Sequence, residues 1–202
     1  EFFEQEYYRN PYDKVSSSKP DEIKLTEAQN VAFKSLFESY KSDVGETALL
    51  YGVTGSGKTQ VFLKLCEDVA ASGRGVIVMV PEIALTPQTL GVFHKRFGDK
   101  VAVFHSSLSI GQRLDEWKRI KRGDAKIAIG TRSAIFAPVE KLGLIVIDEE
   151  HEHTYKSESD PKYHARDIAA FRCGKNNALM LLASATPSLE SFYKAKSGVY
   201  TL

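Results

Sequence analysis

The 202-residue chain is 43% hydrophobic and 26% charged, enough apolar content for one globular domain with a sizeable core. Its 27 Lys and Arg nearly balance 26 Asp and Glu, so no global basic field advertises a nucleic-acid partner; any such contact must come from local patches. No apolar stretch is long enough to span a bilayer and no signal peptide opens the chain, while Cys66 and Cys173 stand far apart without zinc-type spacing and read as free thiols of a reducing compartment.

Residues 1–20, "EFFEQEYYRNPYDKVSSSKP", carry Tyr, Ser, Pro and charge without a sustained period, and read as a linker or the remnant of a preceding domain. The chain opens on Glu1 rather than Met, as an excised piece of a longer protein would. The domain itself is expected over 21–202. "LTEAQNVAFKSLFESY" places Val31, Phe33, Leu36, Phe37 and Tyr40 mostly on one helical face, and Thr26 with Gln29 forms a capping-box pattern. "TALLYG" reads as a buried strand, followed by a helix from about Lys58 to Ala71. "GVIVMV" is a strand. "TPQTLGVFHKRF" is a helix with Thr86 as N-cap and Pro87 at its first position. "VAVF" is a strand, and "SIGQRLDEWKRIKRG" a helix closed by Gly123. "KIAIG", "LIVID" and "ALMLLAS" are strands, and Thr186-Pro187 is expected to start a last helix with Thr186 as its cap. Continuous apolar strands alternating with amphipathic helices predict an α/β fold: a mostly parallel sheet with helices on both faces.

"GVTGSGKT" matches the phosphate-loop pattern G-x-x-x-x-G-K-[ST] between a strand and a helix. Gly52, Val53, Thr54, Gly55, Ser56 and Gly57 would wrap their backbone N–H groups around phosphate oxygens, and the following helix would aim its positive end at the same anion. Lys58 would reach the β- and γ-phosphates, and the Thr59 hydroxyl would bind Mg²⁺. A parallel-sheet nucleotide site lies beyond the carboxyl ends of the strands, and Asp148 ends the strand "LIVID". The cation facing the acids of "LIVIDEEHEHTYK" is therefore read as Mg²⁺ on ATP, with Asp148 holding the metal's shell and Glu149 orienting and deprotonating the attacking water. The helix "RLDEWKRIKRG" gathers Arg113, Lys118, Arg119, Lys121 and Arg122, either as a solvated face or as a DNA contact, with Trp117 and His105 expected to pack.

The sequence Asp-Glu-Glu-His, 148–151, is the D-E-x-H box that superfamily-2 helicases carry, and further blocks line up with it. "VPEIALTPQ", "GTRSAIFAP" and "SATPS" look like motifs Ia, Ib and III, and "DEEHEHTYKSESDPKYHARD" resembles the bacterial primosomal helicases of the PriA type over about residues 20–202. The resemblance implies the first of two RecA-like lobes of an ATP-driven 3′-to-5′ DNA helicase that recognises stalled forks and reloads replication. It implies coupling of ATP to the lobe interface by His151 and adenine reading by Gln29, beside its capping role. Thr86, Thr131 and Arg132 would meet the backbone of single-stranded DNA. Tyr155, Tyr163, His164 and Arg166 would form an aromatic-rich loop that stacks on unpaired bases or on one another, although "SESDP" within it is acidic. Ser184 and Thr186 would link hydrolysis to strand movement.

The same resemblance implies partners: forked DNA, replication-restart proteins and single-stranded DNA-binding protein, in a bacterial cytoplasm near the nucleoid and away from membranes. It places the arginine finger and a zinc-binding cysteine-rich insert outside these residues, since two cysteines cannot build that insert. Tested alone, the 202 residues are expected to bind Mg-ATP weakly and unwind nothing. Two other readings stand: a lobe of a different superfamily-2 translocase or RNA helicase, or a nucleotide-gated docking module.

Overall fold

The computed structural model describes residues 22–202, so the expectation for 1–20 lies outside the described residues. Six strands form one sheet: β1 (Thr47–Tyr51), β2 (Gly75–Met79), β3 (Val101–Phe104), β4 (Ile127–Gly130), β5 (Leu142–Asp148) and β6 (Leu179–Ser184). Their order is β1-β6-β5-β2-β4-β3, and every pairing is parallel. The strands are buried on both faces, which is why they read as apolar runs rather than alternations.

Helices α1 (Glu27–Lys41), α2 (Lys58–Ala71) and α3 (Pro87–Phe97) pack Leu36, Phe62, Leu65, Leu90 and Phe93 on one face. On the other face, α4 (Ile110–Arg122), α5 (Ala165–Asn176) and α6 (Leu189–Lys196) pack Ile120, Ala165, Ala169, Cys173 and Ala195. The chain steps outward from β1 through β2 to β3 over the first face. It returns through β4 and β5 to β6 over the second, as right-handed crossovers require. The strands β1 and β6 are neighbours whose following segments leave to opposite faces, and the crevice at their carboxyl ends is the switch point where such sheets take ligands.

The edge strand β3 would present unpaired backbone to solvent. Instead, Glu116 of α4, buried, accepts from the Val103 N–H at 2.8 Å, and Arg119 donates to the Val101 carbonyl at 3.0 Å. Arg119 thus serves the strand rather than a solvated face, and Lys121 pairs with Glu140. Trp117, expected to pack, is 42% exposed on the outer side of the same helix, and His105 is only half-buried. Val31 departs from expectation too: it lies on the exposed side of α1, while Leu36 and Tyr40 form the buried stripe.

Candidate nucleotide site

Five of the six helices begin on a side chain that accepts from their own first turn: Thr26, Thr86, Ser109, His164 and Ser188. Among the described residues α2 is the exception. It starts at Gly57, in the left-handed region at φ 82°, with no side-chain cap and no acid in its first turn. Its leading N–H groups are left for an external anion. A side chain at Gly57 would be strained by that φ and would push the Gln29 amide off its contacts, and Gly55 is also left-handed at φ 79°. Gln29 holds the loop from outside. Its Nε2 donates to the Ser56 carbonyl at 2.9 Å while its Oε1 accepts from Thr26 N–H at 2.9 Å, so the capping box and the loop contact coexist.

Lys58 lies across the loop, donating to the carbonyls of Gly52 at 2.8 Å and Val53 at 3.3 Å. The loop is stitched to the next strand by the Gly52 N–H, which donates to the Ser184 carbonyl at 3.4 Å. Ser184, fully buried at the end of β6, gives its hydroxyl hydrogen to Glu149 Oε2 at 3.2 Å. It accepts from the Thr186 N–H at 3.0 Å and contacts His151 Nδ1 at 2.9 Å. The other ring nitrogen, Nε2, faces the Thr186 hydroxyl at 3.5 Å. Loop, acid, histidine and both "SAT" residues therefore form one chain of contacts along the carboxyl edge of β1, β6 and β5.

Asp148 closes β5 beside Ala183 of β6, and Glu149 follows at φ 46°, an uncommon conformation for a residue with a side chain. That turn keeps both carboxylates at the sheet edge, with the Glu149 N–H on Asp148 Oδ1 at 3.1 Å. Burial first, and the neighbouring Glu149 charge second, push the Asp148 carboxyl up to about 6, against the pull of Lys58. Lys58, opening α2 after β1, and Asp148, ending β5, lie on the same carboxyl side of the sheet with only β6 between their strands.

The third acid corrects the sequence reading. Glu150 does not face a metal: its carboxylate is shut off from solvent and takes Arg166 Nη1 at 3.2 Å, Ser188 N–H at 2.6 Å and Ser191 Oγ at 3.1 Å. Arg166, expected in the aromatic-rich loop, is committed to Glu150 and to Glu190 at 3.0 Å. Thr186 does not cap the last helix; Ser188 does, accepting from the Ser191 N–H, because α6 starts two residues later. Tyr155 is 1% exposed and donates its hydroxyl to the Asp148 carbonyl at 2.6 Å, so it is a core residue beneath the acids rather than a free stacking ring. His164 caps α5. Thr86 is exposed at the start of α3, whereas Thr131 is buried at the end of β4. Arg132 sits 5.7 Å from the Tyr163 ring and donates to the carbonyls of Thr154 and Lys156. Glu150 was the residue sequence reasoning missed; "x" in D-E-x-H carries no spacing signal of its own.

Donor chemistry fits a hard cation bound together with a phosphate. Thr59 is exposed beside the loop, Asp148 offers a poorly solvated carboxylate, and no cluster of three His, Cys, Asp or Glu suited to a metal occurs among the described residues. A cavity of about 180 Å³ lined by Lys121, Lys126 and Lys141 lies at the amino ends of β2, β4 and β5 and is not part of this site.

Residues 26–195 match the DEAD/DEAH box helicase family. The chain is 48% identical to the replication restart protein PriA of Bacillus subtilis over 98% of its length, and 45% identical to that of Haemophilus influenzae over 88%. It spans about a quarter of those relatives' lengths, 25% and 24%. Among solved structures, RecG bound to a three-way DNA junction superposes with a TM-score of 0.64 at 27% identity, covering 87% of this chain and 23% of that one. The Hef helicase domain of Pyrococcus furiosus, at 20% identity and TM-score 0.57 over 85% of this chain and 35% of its own, shares the fold. With the phosphate loop, the Asp-Glu-Glu-His box and the family match converging on one sheet edge, the chain belongs to the DEAD/DEAH box helicases, as a lobe of the RecA-like fold.

Proposed function

We propose that this lobe binds Mg-ATP and hydrolyses it within a 3′-to-5′ DNA helicase of replication restart. The reading is carried by one observation: Gly52 of the phosphate loop, Ser184 of the "SAT" segment and Glu149 of the acidic box are joined by consecutive hydrogen bonds. A change at the phosphate is then felt at Ser184 and at the segment leading to α6.

Gly55, Gly57 and the uncapped α2 terminus cradle the phosphates, and Lys58 exchanges its hold on Gly52 and Val53 for phosphate oxygens. Thr59 and Asp148 would hold Mg²⁺, which when bound would offset negative charge developing on the transferred phosphate. Glu149 orients the attacking water and takes its proton, its carboxylate aimed by Ser184. His151 and Thr186 pass displacement between this site and the lobe interface. Gln29 reads adenine while bracing the loop. Thr86, Thr131 and Arg132 meet single-stranded DNA.

Relatives named for replication restart and a neighbour bound to a three-way junction support forked DNA as the substrate. Replication-restart proteins and single-stranded DNA-binding protein as partners, zinc elsewhere in the whole protein, and a cytoplasmic, nucleoid-associated location rest on the family resemblance. No helix among the described residues is long and apolar enough to cross a membrane.

The test is ATP turnover and unwinding of forked DNA by the full-length natural chain carrying these residues. Glu149→Gln should retain ATP binding and lose both activities, and Lys58→Ala should lose binding. Loading of partner proteins that survives Glu149→Gln would favour the docking-module reading instead, and unwinding of duplex RNA but not forked DNA would favour an RNA helicase.

A further inference from the structure

We propose that the outer face of α4 docks an acidic amphipathic helix of a partner protein. The inference goes beyond the nucleotide site and does not depend on it. Ile110, Leu114 and Trp117 are 86%, 50% and 42% exposed, at spacings that put all three on one line along the helix. Apolar residues scattered singly over a surface are ordinary. A stripe of them that includes a tryptophan is the mark of a contact surface.

The helix that carries the stripe is preformed. Ser109 and Gln112 cap it reciprocally, and Gly123 closes it in the left-handed region. Glu116 and Arg119 fasten its inner side to β3. A docking segment would therefore have only itself to order.

Charge selects the occupant. Both acids of α4 are turned away from the stripe: Glu116 is buried on β3 and Asp115 is half-buried. Arg113 flanks the stripe on one side and Lys118 on the other. One turn beyond Trp117 the line reaches Lys121, which with Arg122, Lys126 and Lys141 lines the cavity of about 180 Å³. Glu140 lines it too, but its pair with Lys121 is exposed on both sides, so a partner's carboxylate displaces it at little cost. A chain with a net charge of only +1 thus gathers cations around an apolar strip. An apolar centre with a charged rim is the anatomy of a protein interface. A convex helix face is matched by a second helix, whose flanking acids would lie against Arg113 and Lys118. A second copy of this face would set cations against cations, and a nucleic acid would lay phosphates where the surface is apolar.

The experiment measures binding of three fluorescein-labelled probes to the full-length natural chain carrying these residues. The first is a designed peptide helix with Leu at heptad positions a and d and Glu at e and g. The second has Lys in place of those Glu, and the third is oligo-dT. The Glu peptide should bind and the Lys peptide should not. Trp117→Ala should weaken the Glu peptide about 30-fold, the loss expected of an interface hot spot, with ATP binding unchanged as the sign of an intact fold. Lys118→Glu/Lys121→Glu should reverse the preference and take the Lys peptide instead. Binding of the Glu peptide that ignores Trp117→Ala, or a preference that does not reverse, overturns the proposal. So does absence of Glu-peptide binding by the wild type. In that case, protection of Trp117 from hydroxyl-radical footprinting in the chain alone would assign the stripe to another part of the same chain. Oligo-dT binding weakened by Trp117→Ala would assign it to nucleic acid.

Discussion

Glu150 and Arg166, sixteen residues apart, meet at 3.2 Å where the acidic box, α5 and α6 converge. The carboxylate is fully buried and the guanidinium partly so, and the two serines at the start of α6 complete the acid's partners. The pair pins the segment after β5 to the helix after the "SAT" turn, so Glu149 and Ser184 are held in register from behind.

Removing one partner leaves a buried charge unmatched. Arg166→Ala should destabilise the fold by about 3–5 kcal/mol in chemical denaturation. The double variant Glu150→Gln/Arg166→Gln should recover part of that loss, because neither charge then remains alone. Equal losses in the single and double variants would mean that the ion pair itself contributes little.

Metal-free stability should depend on Asp148. Its folded-state carboxyl, pushed up to about 6, holds its proton more tightly than in the unfolded chain, whose ordinary value is near 3.8. The unfolded state therefore binds fewer protons between those values, and stability falls as pH rises from about 4 to about 6, then levels off. The full effect is on the order of 2–3 kcal/mol. Asp148→Asn should flatten that stretch of the profile, and an unchanged slope would place the titration elsewhere.

Both thiols should be inert in the folded chain. Burial pushes Cys173 up to about 12 and Cys66 further still, and a neutral buried thiol is a poor nucleophile. Iodoacetamide at pH 8 should label neither until denaturant is added, and then both. Labelling of the native chain at either site would show that α2 or α5 opens locally.

Tested as the 202-residue chain, ATP turnover should be far below that of a complete motor. The arginine finger that a second lobe would supply is worth about 10³- to 10⁵-fold in rate. Helicase-like turnover by these residues alone would contradict that dependence.

The strands and most helix boundaries were legible because burial on both faces writes unbroken apolar runs, and because Thr26, Thr86 and Gly123 are local stop and start signals. The turn ahead of α2 was legible for the same reason: Gly55 and Gly57 answer to backbone conformation, which is local. What sequence did not disclose was set by tertiary pairing. Trp117 looked like core, yet α4 buries Glu116 toward the strand edge and turns its indole outward. Tyr155 looked like a stacking ring, yet its hydroxyl finds the Asp148 carbonyl under the sheet's edge. Thr186 had the form of a cap, but Ser184 captures its N–H and the helix waits for Ser188.

The most direct test is a crystal structure with Mg²⁺ and a non-hydrolysable ATP analogue. The account predicts that Lys58 releases the Gly52 carbonyl for the β- and γ-phosphates, with the metal between Thr59 and Asp148. A nucleotide bound away from residues 52–59, or a metal out of reach of Asp148, would contradict it.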